Sequence, residues 1–167
     1  MKRIAIMFGA VLSMTVLMSA MRSSIGIVDL TSKGIPITVD APAGSVVSGG
    51  VLNGMVMGGV TTYCWDINNG DFSLEVTMED VEAKKSRWKY LQYSKNVLEI
   101  DPSFEKYVES DENGFLVKMN YSGIVEYEFY HVVIKDNRAI EFSTGFSTDD
   151  YGVENIRKMY YAARTAK

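Results

Sequence analysis

The sequence has one cysteine, one histidine and three prolines among 167 residues, and this scarcity excludes several kinds of site. A single cysteine, Cys64, cannot form an internal disulfide, so the core alone must hold the fold together. A single histidine, His131, leaves no basis for most metal centres and acid-base pairs, because histidine is the usual ligand and proton shuttle. The sequence therefore predicts no cofactor and no metal site.

Both of these residues lie in segments that alternate like strands. His131 shares a strand face with Tyr127, Phe129 and Val133, which predicts a buried, structural histidine. Free cysteine is among the most buried residue types, so we expect a packed thiol at Cys64. The alternative is a catalytic Cys64–His131 pair, which requires that the two side chains lie within hydrogen-bond reach.

Charge is also absent from one long stretch, since no charged side chain occurs between Ala41 and Trp65. This stretch contains an Asn-Gly pair, Asn53-Gly54, between apolar residues. Such a pair is the strongest short-range signal of a β-hairpin, because both residues accept positive φ. We therefore predict a tight turn there.

The glycines around that turn permit other interpretations. In a hairpin, Gly49 and Gly50 would face Gly58 and Gly59 two-by-two across the turn. The spacing of Gly50, Gly54 and Gly58 also matches the small-xxx-small pattern of packed membrane helices, and a switchable loop is a further alternative. A phosphate-binding loop is disfavoured, because no Gly-Lys-Ser/Thr follows.

The amino terminus resembles an export signal. Lys2 and Arg3 precede an uncharged apolar stretch, Ile4 to Met21, which predicts a secretory signal peptide over residues 1–20 with cleavage near Ala20. An uncleaved membrane anchor is the alternative. We expect a secreted or periplasmic bacterial protein with no stable membrane span after signal removal.

The remaining chain is acidic. Removing Lys2 and Arg3 from the 17 basic residues leaves 15 against 21 acidic ones, a balance unsuited to nucleic acid. Residues 21–34 are rich in Ser, Gly and Thr and predict a flexible tail. Residues 35–167 then suit a single α+β domain.

Periodicity places the elements of that domain. The segment from Phe72 to Met78 alternates as a half-buried strand. A helix is predicted over residues 80–96, and a shorter one over residues 102–110 with Asp101 as its cap. Further strands are predicted at Ile37 to Val39, Phe115 to Tyr121, Ile124 to Lys135 and Ala139 to Phe146, and a terminal helix with an apolar stripe of Val153, Ile156, Tyr160 and Ala163.

This predicts an antiparallel sheet covered by a middle amphipathic helix and a terminal helix. The Pro- and Gly-marked first strand, "ITVDAPAG", followed by a strand hairpin, a middle helix, long strands and a closing helix, resembles the PsbP-like α/β/α sandwich over residues 35–165. The aromatic residue that often follows the Pro-x-Gly turn in that family is replaced by Ser45 and Val46. The resemblance implies a binding or assembly module and carries over no site residue.

The candidate binding residues lie on and before the middle helix. Aromatic side chains in excess of one small core are typical of binding patches, and a basic cluster adjoins them. The predicted patch is Lys84, Lys85, Arg87, Trp88, Tyr90 and Tyr93.

We therefore predict a non-enzymatic binding or assembly module for a protein, peptide or glycan partner, with no catalytic residue. The first alternative is a small hydrolase that uses Cys64 or a carboxylate pair. The Glu75 and Glu79 pair and the Glu126 and Glu128 pair each share one strand face, which is also typical of a solvated sheet face. The second alternative is a membrane-active protein that uses the segment from Gly49 to Gly59.

Overall fold

The computed structural model describes residues 24–52, 61–83, 86–144 and 152–167. The fold is α+β, as the sequence predicts. In chain order the elements are β1 (Ile25–Asp29), a short 3-10 helix (Thr31–Lys33), β2 (Thr38–Pro42), β3 (Val46–Leu52), β4 (Thr62–Asn69), β5 (Phe72–Glu79), α1 (Arg87–Glu99), β6 (Phe104–Ser110), β7 (Gly114–Tyr121), β8 (Ile124–Lys135), β9 (Arg138–Thr144) and α2 (Val153–Ala163).

Within the described residues, seven strands form one sheet in the order β3-β4-β5-β9-β8-β7-β6, and every neighbouring pair is antiparallel. Strands β1 and β2 pair with each other in a separate two-stranded sheet. The helix α1 lies in the connection between β5 and β6, so it separates two groups of strands that meet at β9. The strands predicted at residues 72–78, 115–121 and 124–135 are confirmed, and the strand predicted at 139–146 is confirmed over 139–144, since residues 145–146 lie outside the described residues.

One face of the large sheet is covered by α2 and by the β1–β2 hairpin. The apolar face of β5 points to this side, and Leu74, Val76 and Met78 are buried there. The predicted stripe of α2 is confirmed, since Ile156 and Tyr160 are buried in the same core. The chain end is attached to this layer by backbone hydrogen bonds between Lys167 and Thr38.

The opposite face is covered by α1, but only over β6, β7 and β8. Leu91 is the buried side chain of α1, and it packs in a second apolar cluster with Phe115, Val117 and Val132. The helix begins at Arg87, later than predicted, and residues 80–83 precede it as an extended connection in which the Ala83 N–H donates to the Asn137 carbonyl. In the part of the chain that the structure describes, no helix lies over the half of this face formed by β3, β4, β5 and β9.

The shorter predicted helix is wrong, because residues 104–110 form the edge strand β6. The carboxylate of Asp101 accepts the Ser103 N–H in a local turn and does not cap a helix. Pro102 and Ser103 occupy that turn, and the chain then pairs with β7. The Asp-Pro signal marks a chain reversal here, and pairing with β7 decides the conformation that follows.

The predicted tail over residues 21–34 is also wrong for residues 25–34, which form β1 and the 3-10 helix. Leu30 and Ile35 are buried in the main core. The alternation of apolar and polar residues does not predict β1, because its inward positions are Gly26 and Val28, whereas Ile25 and Ile27 point to solvent.

The glycine-rich run begins as a strand, so the membrane-helix alternative is wrong for residues 46–52. Gly49 and Gly50 lie opposite Trp65 and Cys64 of β4, whereas the sequence predicts that these two glycines face Gly58 and Gly59 across a hairpin. The predicted turn at Asn53-Gly54, like residues 58–59 and the signal segment 1–20, lies outside the described residues. No helix in the described ranges is both long enough and apolar enough to cross a bilayer.

Candidate functional site

The half of the sheet that α1 leaves uncovered forms the floor of a groove of about 360 Å³. One wall comes from α1 and the connection before it, and the floor comes from outward-facing residues of β5, β8 and β9. The lining residues are Glu75, Thr77, Met78, Glu79, Val81, Tyr90, Tyr130, Ala139, Glu141 and Ser143.

The strand register places the polar side chains of this floor in two rows across the sheet. In the first row, Asp66 of β4 lies opposite Glu75, Glu75 lies opposite Ser143, and Ser143 lies opposite Tyr130. Directly opposed side chains on one sheet face lie about 4.5–5.5 Å apart at Cβ, so the members of a row are close neighbours.

The second row runs parallel to the first, two residues away along each strand. Cys64 of β4 lies opposite Thr77, and Thr77 lies opposite Glu141. The Thr77 hydroxyl donates to the Cys64 sulfur at 3.9 Å. The lone thiol therefore faces the groove side of the sheet.

Three carboxylates line the groove, and its described lining contains no lysine or arginine. The Ser143 hydroxyl donates to Glu75 at 3.2 Å, and the Tyr130 hydroxyl donates to Glu141 at 2.8 Å. Glu79 is exposed at the end of β5. The described lining is thus acidic, and Glu75 and Glu141 each accept a hydrogen bond from a hydroxyl group.

Two carboxylates on this side of the sheet, Glu75 and Asp66, have raised pKa values. Burial raises the pKa of Glu75, and the charge of Asp66 raises it further, against the lowering effect of the Ser143 hydrogen bond. Burial also raises the pKa of Asp66. Two neighbouring carboxylates that both resist ionisation would be stabilised by a cation placed between them.

The same surroundings keep Cys64 in its thiol form. Burial raises the pKa of Cys64, and the nearby charges of Glu75 and Asp66 raise it further. A reactive cysteine has the opposite environment, with a lowered pKa beside positive charge or a helix amino terminus.

Among the predicted patch residues, the structure brings only Tyr90 into the groove. Trp88 and Tyr93 lie on α1 but point away from the sheet and are 64% and 63% exposed. Arg87 lies 3.8 Å from Glu112 in a solvent-exposed ion pair. Lys84 and Lys85 lie outside the described residues.

The basic face of α1 also contacts the domain itself. The Lys95 ammonium donates to the Ser110 hydroxyl at 2.9 Å and lies 5.2 Å from the ring centre of Tyr107 and 5.8 Å from that of Phe115. This lysine is therefore held over the aromatic cluster by cation–π contacts.

The two predicted carboxylate pairs have different surroundings. Glu75 and Glu79 both line the groove. Glu126 and Glu128 lie near the start of β8, on a part of the strand that does not pair with β9, and Glu128 accepts a hydrogen bond from Tyr121 at 2.7 Å. The first pair therefore adjoins the described groove, and the second pair is not part of its lining.

His131 is buried, as the sequence predicts, and it lies on the other face of the sheet from Cys64. Its ring packs 5.8 Å from Phe142 and 6.2 Å from Tyr160 in the core beneath α2. Burial lowers the pKa of His131 to about 4, so the ring is neutral at physiological pH. The sheet separates it from Cys64, and the alternative of a catalytic Cys64–His131 pair is wrong.

Sequence analysis missed Tyr130, Glu141 and Ser143 as site residues. The alternation in β9 does predict their orientation. Ile140 and Phe142 are its buried positions, so Glu141 and Ser143 must face the other side of the sheet. What the alternation does not reveal is which half of that face α1 covers.

Among the described residues, no group of three or more His, Cys, Asp or Glu side chains is arranged to hold a metal ion. Comparison with known proteins finds no matching family model, no similar curated protein and no similar solved structure. The resemblance to PsbP-like domains therefore stays a prediction, and the function must be argued from the groove.

Proposed function

We propose that this chain is an exported, non-enzymatic binding module whose groove receives a basic side chain, lysine or arginine, of a peptide or protein partner. The observation that carries the proposal is the pair of opposed carboxylates, Asp66 and Glu75, beside a cavity without a described basic residue. A guanidinium or ammonium group placed there would relieve their repulsion through charge-assisted hydrogen bonds.

The walls of the groove also suit a cation. Tyr90 and Tyr130 stand on the α1 side of the cavity. Aromatic faces attract cations within about 6 Å of the ring centre, and arginine combines this contact with bidentate binding of carboxylates. A neutral glycan could stack on the same rings, but it would leave the repulsion between Asp66 and Glu75 in place.

Two observations favour binding over hydrolysis. The raised pKa of Cys64 disfavours the thiolate that a nucleophile requires. The single histidine lies across the sheet and cannot act as its base. The small-hydrolase alternative therefore depends on the groove carboxylates alone.

The test is titration of the full chain with the peptide acetyl-Gly-Gly-Arg-Gly-Gly-amide in 150 mM salt, followed by calorimetry and by NMR shifts. The matched probe has glutamine in place of arginine. We expect the arginine peptide to bind and the glutamine peptide not to bind. Glu75→Gln and Glu141→Gln should each weaken binding by at least about tenfold.

The control variant is Glu126→Gln, which removes the same charge from an exposed position on β8. It should leave the affinity unchanged within about twofold. Equal losses of affinity in all three variants would show that binding depends on the net charge of the chain and not on the groove, which would overturn the proposal. Failure of both peptides to bind would also overturn it. Cleavage of the probe, seen by mass spectrometry, would replace the binding role with the hydrolase alternative.

A further inference from the structure

The two edges of the seven-stranded sheet differ in their protection against pairing with another strand. The edge strand β6 has two register shifts in its pairing with β7, and it carries Glu105, Lys106 and Glu109. Bulges and charges are the usual means by which proteins block edge-to-edge association. The edge at β6 is therefore guarded.

The opposite edge, β3, has neither kind of protection. Its seven residues, Val46–Leu52, carry no charge and no proline, and its pairing with β4 is continuous. No other strand in the described residues lies on its free side. Val46 and Val51 are 65% and 43% exposed. A long uncharged edge of this kind offers unpaired backbone groups to a further strand.

We infer that β3 is a dimerisation edge, where two copies of this chain pair antiparallel and join their sheets. Charge selects the second copy as the occupant. The chain has a net charge of minus 4, so the overall charge opposes association of two copies, whereas the stretch from Ala41 to Trp65 has no charge that would add to this repulsion. An uncharged strand is compatible with itself, and a twofold interface uses one patch twice.

Symmetry fixes the main features of this interface. A twofold axis at Gly49, the middle residue of β3, sets Val51 of one copy opposite Val47 of the other. Val47 is partly buried against the main core. In the dimer, Val51 of each copy therefore packs against the edge of the other copy's core. The axis is perpendicular to the sheet, and both grooves then lie on the same side of one continuous sheet.

The test is sedimentation of the full chain over a range of concentrations, with Val51→Lys as the disrupting variant. We expect the mass to rise with concentration from 18.6 kDa to twice that value, and Val51→Lys to weaken association at least about tenfold through a buried unpaired charge. Val97→Lys is the matched control, because Val97 has similar exposure, 51%, on α1. It should associate like the parent chain.

Hydrogen exchange locates the interface independently of the substitution. Amides of β3 should become more protected as concentration rises, and those of β6 should not change. A chain that stays monomeric at all concentrations overturns the inference, as does a dimer whose added protection falls on α1 or β6. If Val51→Lys fails to fold, Val46→Lys replaces it, since Val46 is the more exposed of the two. Peptide binding in the groove is measured separately, so the two proposals can fail independently.

Discussion

Gly49 lies against the carbonyl oxygen of Cys64 so closely that no side chain fits between the two strands. A Cβ at position 49 would collide with that oxygen and would lie 3.0 Å from the Cα of Trp65. The φ of Gly49 is also positive, at 110°, where other residues are strained. The next glycine, Gly50, has open space around its missing side chain and no positive φ.

These two glycines give a matched pair of variants. Gly49→Ala should destabilise the fold by at least about 2 kcal/mol, through overpacking and backbone strain. Gly50→Ala should be neutral or stabilise it by up to about 1 kcal/mol, because alanine loses less entropy than glycine in a strand. Urea unfolding, followed by tryptophan fluorescence at low protein concentration, measures both. Equal free-energy changes would contradict the close approach at Gly49.

The thiol of Cys64 should react slowly. Its pKa is raised first by burial and then by the charge of Glu75, so the thiolate fraction is small at pH 8. We expect the folded chain to react with a disulfide reagent at least about tenfold more slowly than the urea-unfolded chain, because the raised pKa and the partial burial both lower the reactivity of the thiol. The rate of labelling across pH 7 to 10 provides the measurement.

The same experiment has an internal control. Glu75→Gln should speed the labelling of the folded chain, because it removes a charge that raises the pKa of Cys64. Glu126→Gln removes an equal charge from the distant part of β8 and should leave the rate unchanged. Labelling of the folded chain as fast as that of the unfolded chain would contradict the burial of the thiol.

His131 should make the stability depend on pH. Above pH 6.5 the ring is neutral in both states and contributes no dependence. Below pH 6.5 the unfolded chain binds a proton that the buried ring, with its pKa lowered to about 4, does not bind, so stability falls as the pH falls. By pH 4 this lowers the free energy of unfolding by about 3 kcal/mol.

His131→Leu removes this contribution. The buried Nδ1 has no hydrogen-bond partner among the described residues, so we expect the replacement to change stability by less than about 1 kcal/mol at pH 7. Urea unfolding at pH 7 and pH 4.5 should show a smaller loss in the variant than in the parent chain, by about 2.5 kcal/mol. Parallel pH profiles would contradict a neutral, buried histidine, since the carboxylates are common to both proteins.

Elements with one buried face and one wet face were predictable from the sequence. The strand β5 shows this best, because each apolar residue from Phe72 to Met78 is followed by a polar one. The strands β1 and β6 were not predictable. In β1 the exposed residues Ile25 and Ile27 are more apolar than the buried side, and in β6 register shifts break the alternation.

The candidate site was predictable only in part, because it depends on what α1 leaves uncovered. Sequence alone predicted Tyr90 as a binding residue and placed Glu75 and Glu79 on one strand face, and all three line the groove. It could not place Tyr130 or Glu141 beside them, since that neighbourhood follows from the long-range pairing of β5 with β9 and of β9 with β8. The predicted patch contains basic residues, whereas the described lining of the groove is acidic.

The attachment of α2 to the sheet should depend on one of two adjacent tyrosines. The buried Tyr160 hydroxyl donates to Asp111 at 3.1 Å, and Asp111 also accepts the backbone N–H groups of Asn113 and Gly114. The exposed Tyr161 hydroxyl donates to Glu109, which also binds Arg157. Tyr160→Phe should cost about 1.5 kcal/mol, typical of a hydrogen bond to a charged acceptor, and Tyr161→Phe less than about 0.5 kcal/mol. Thermal unfolding of the two variants measures the difference, and a larger loss in Tyr161→Phe would show that the exposed contact, and not the buried one, holds the helix.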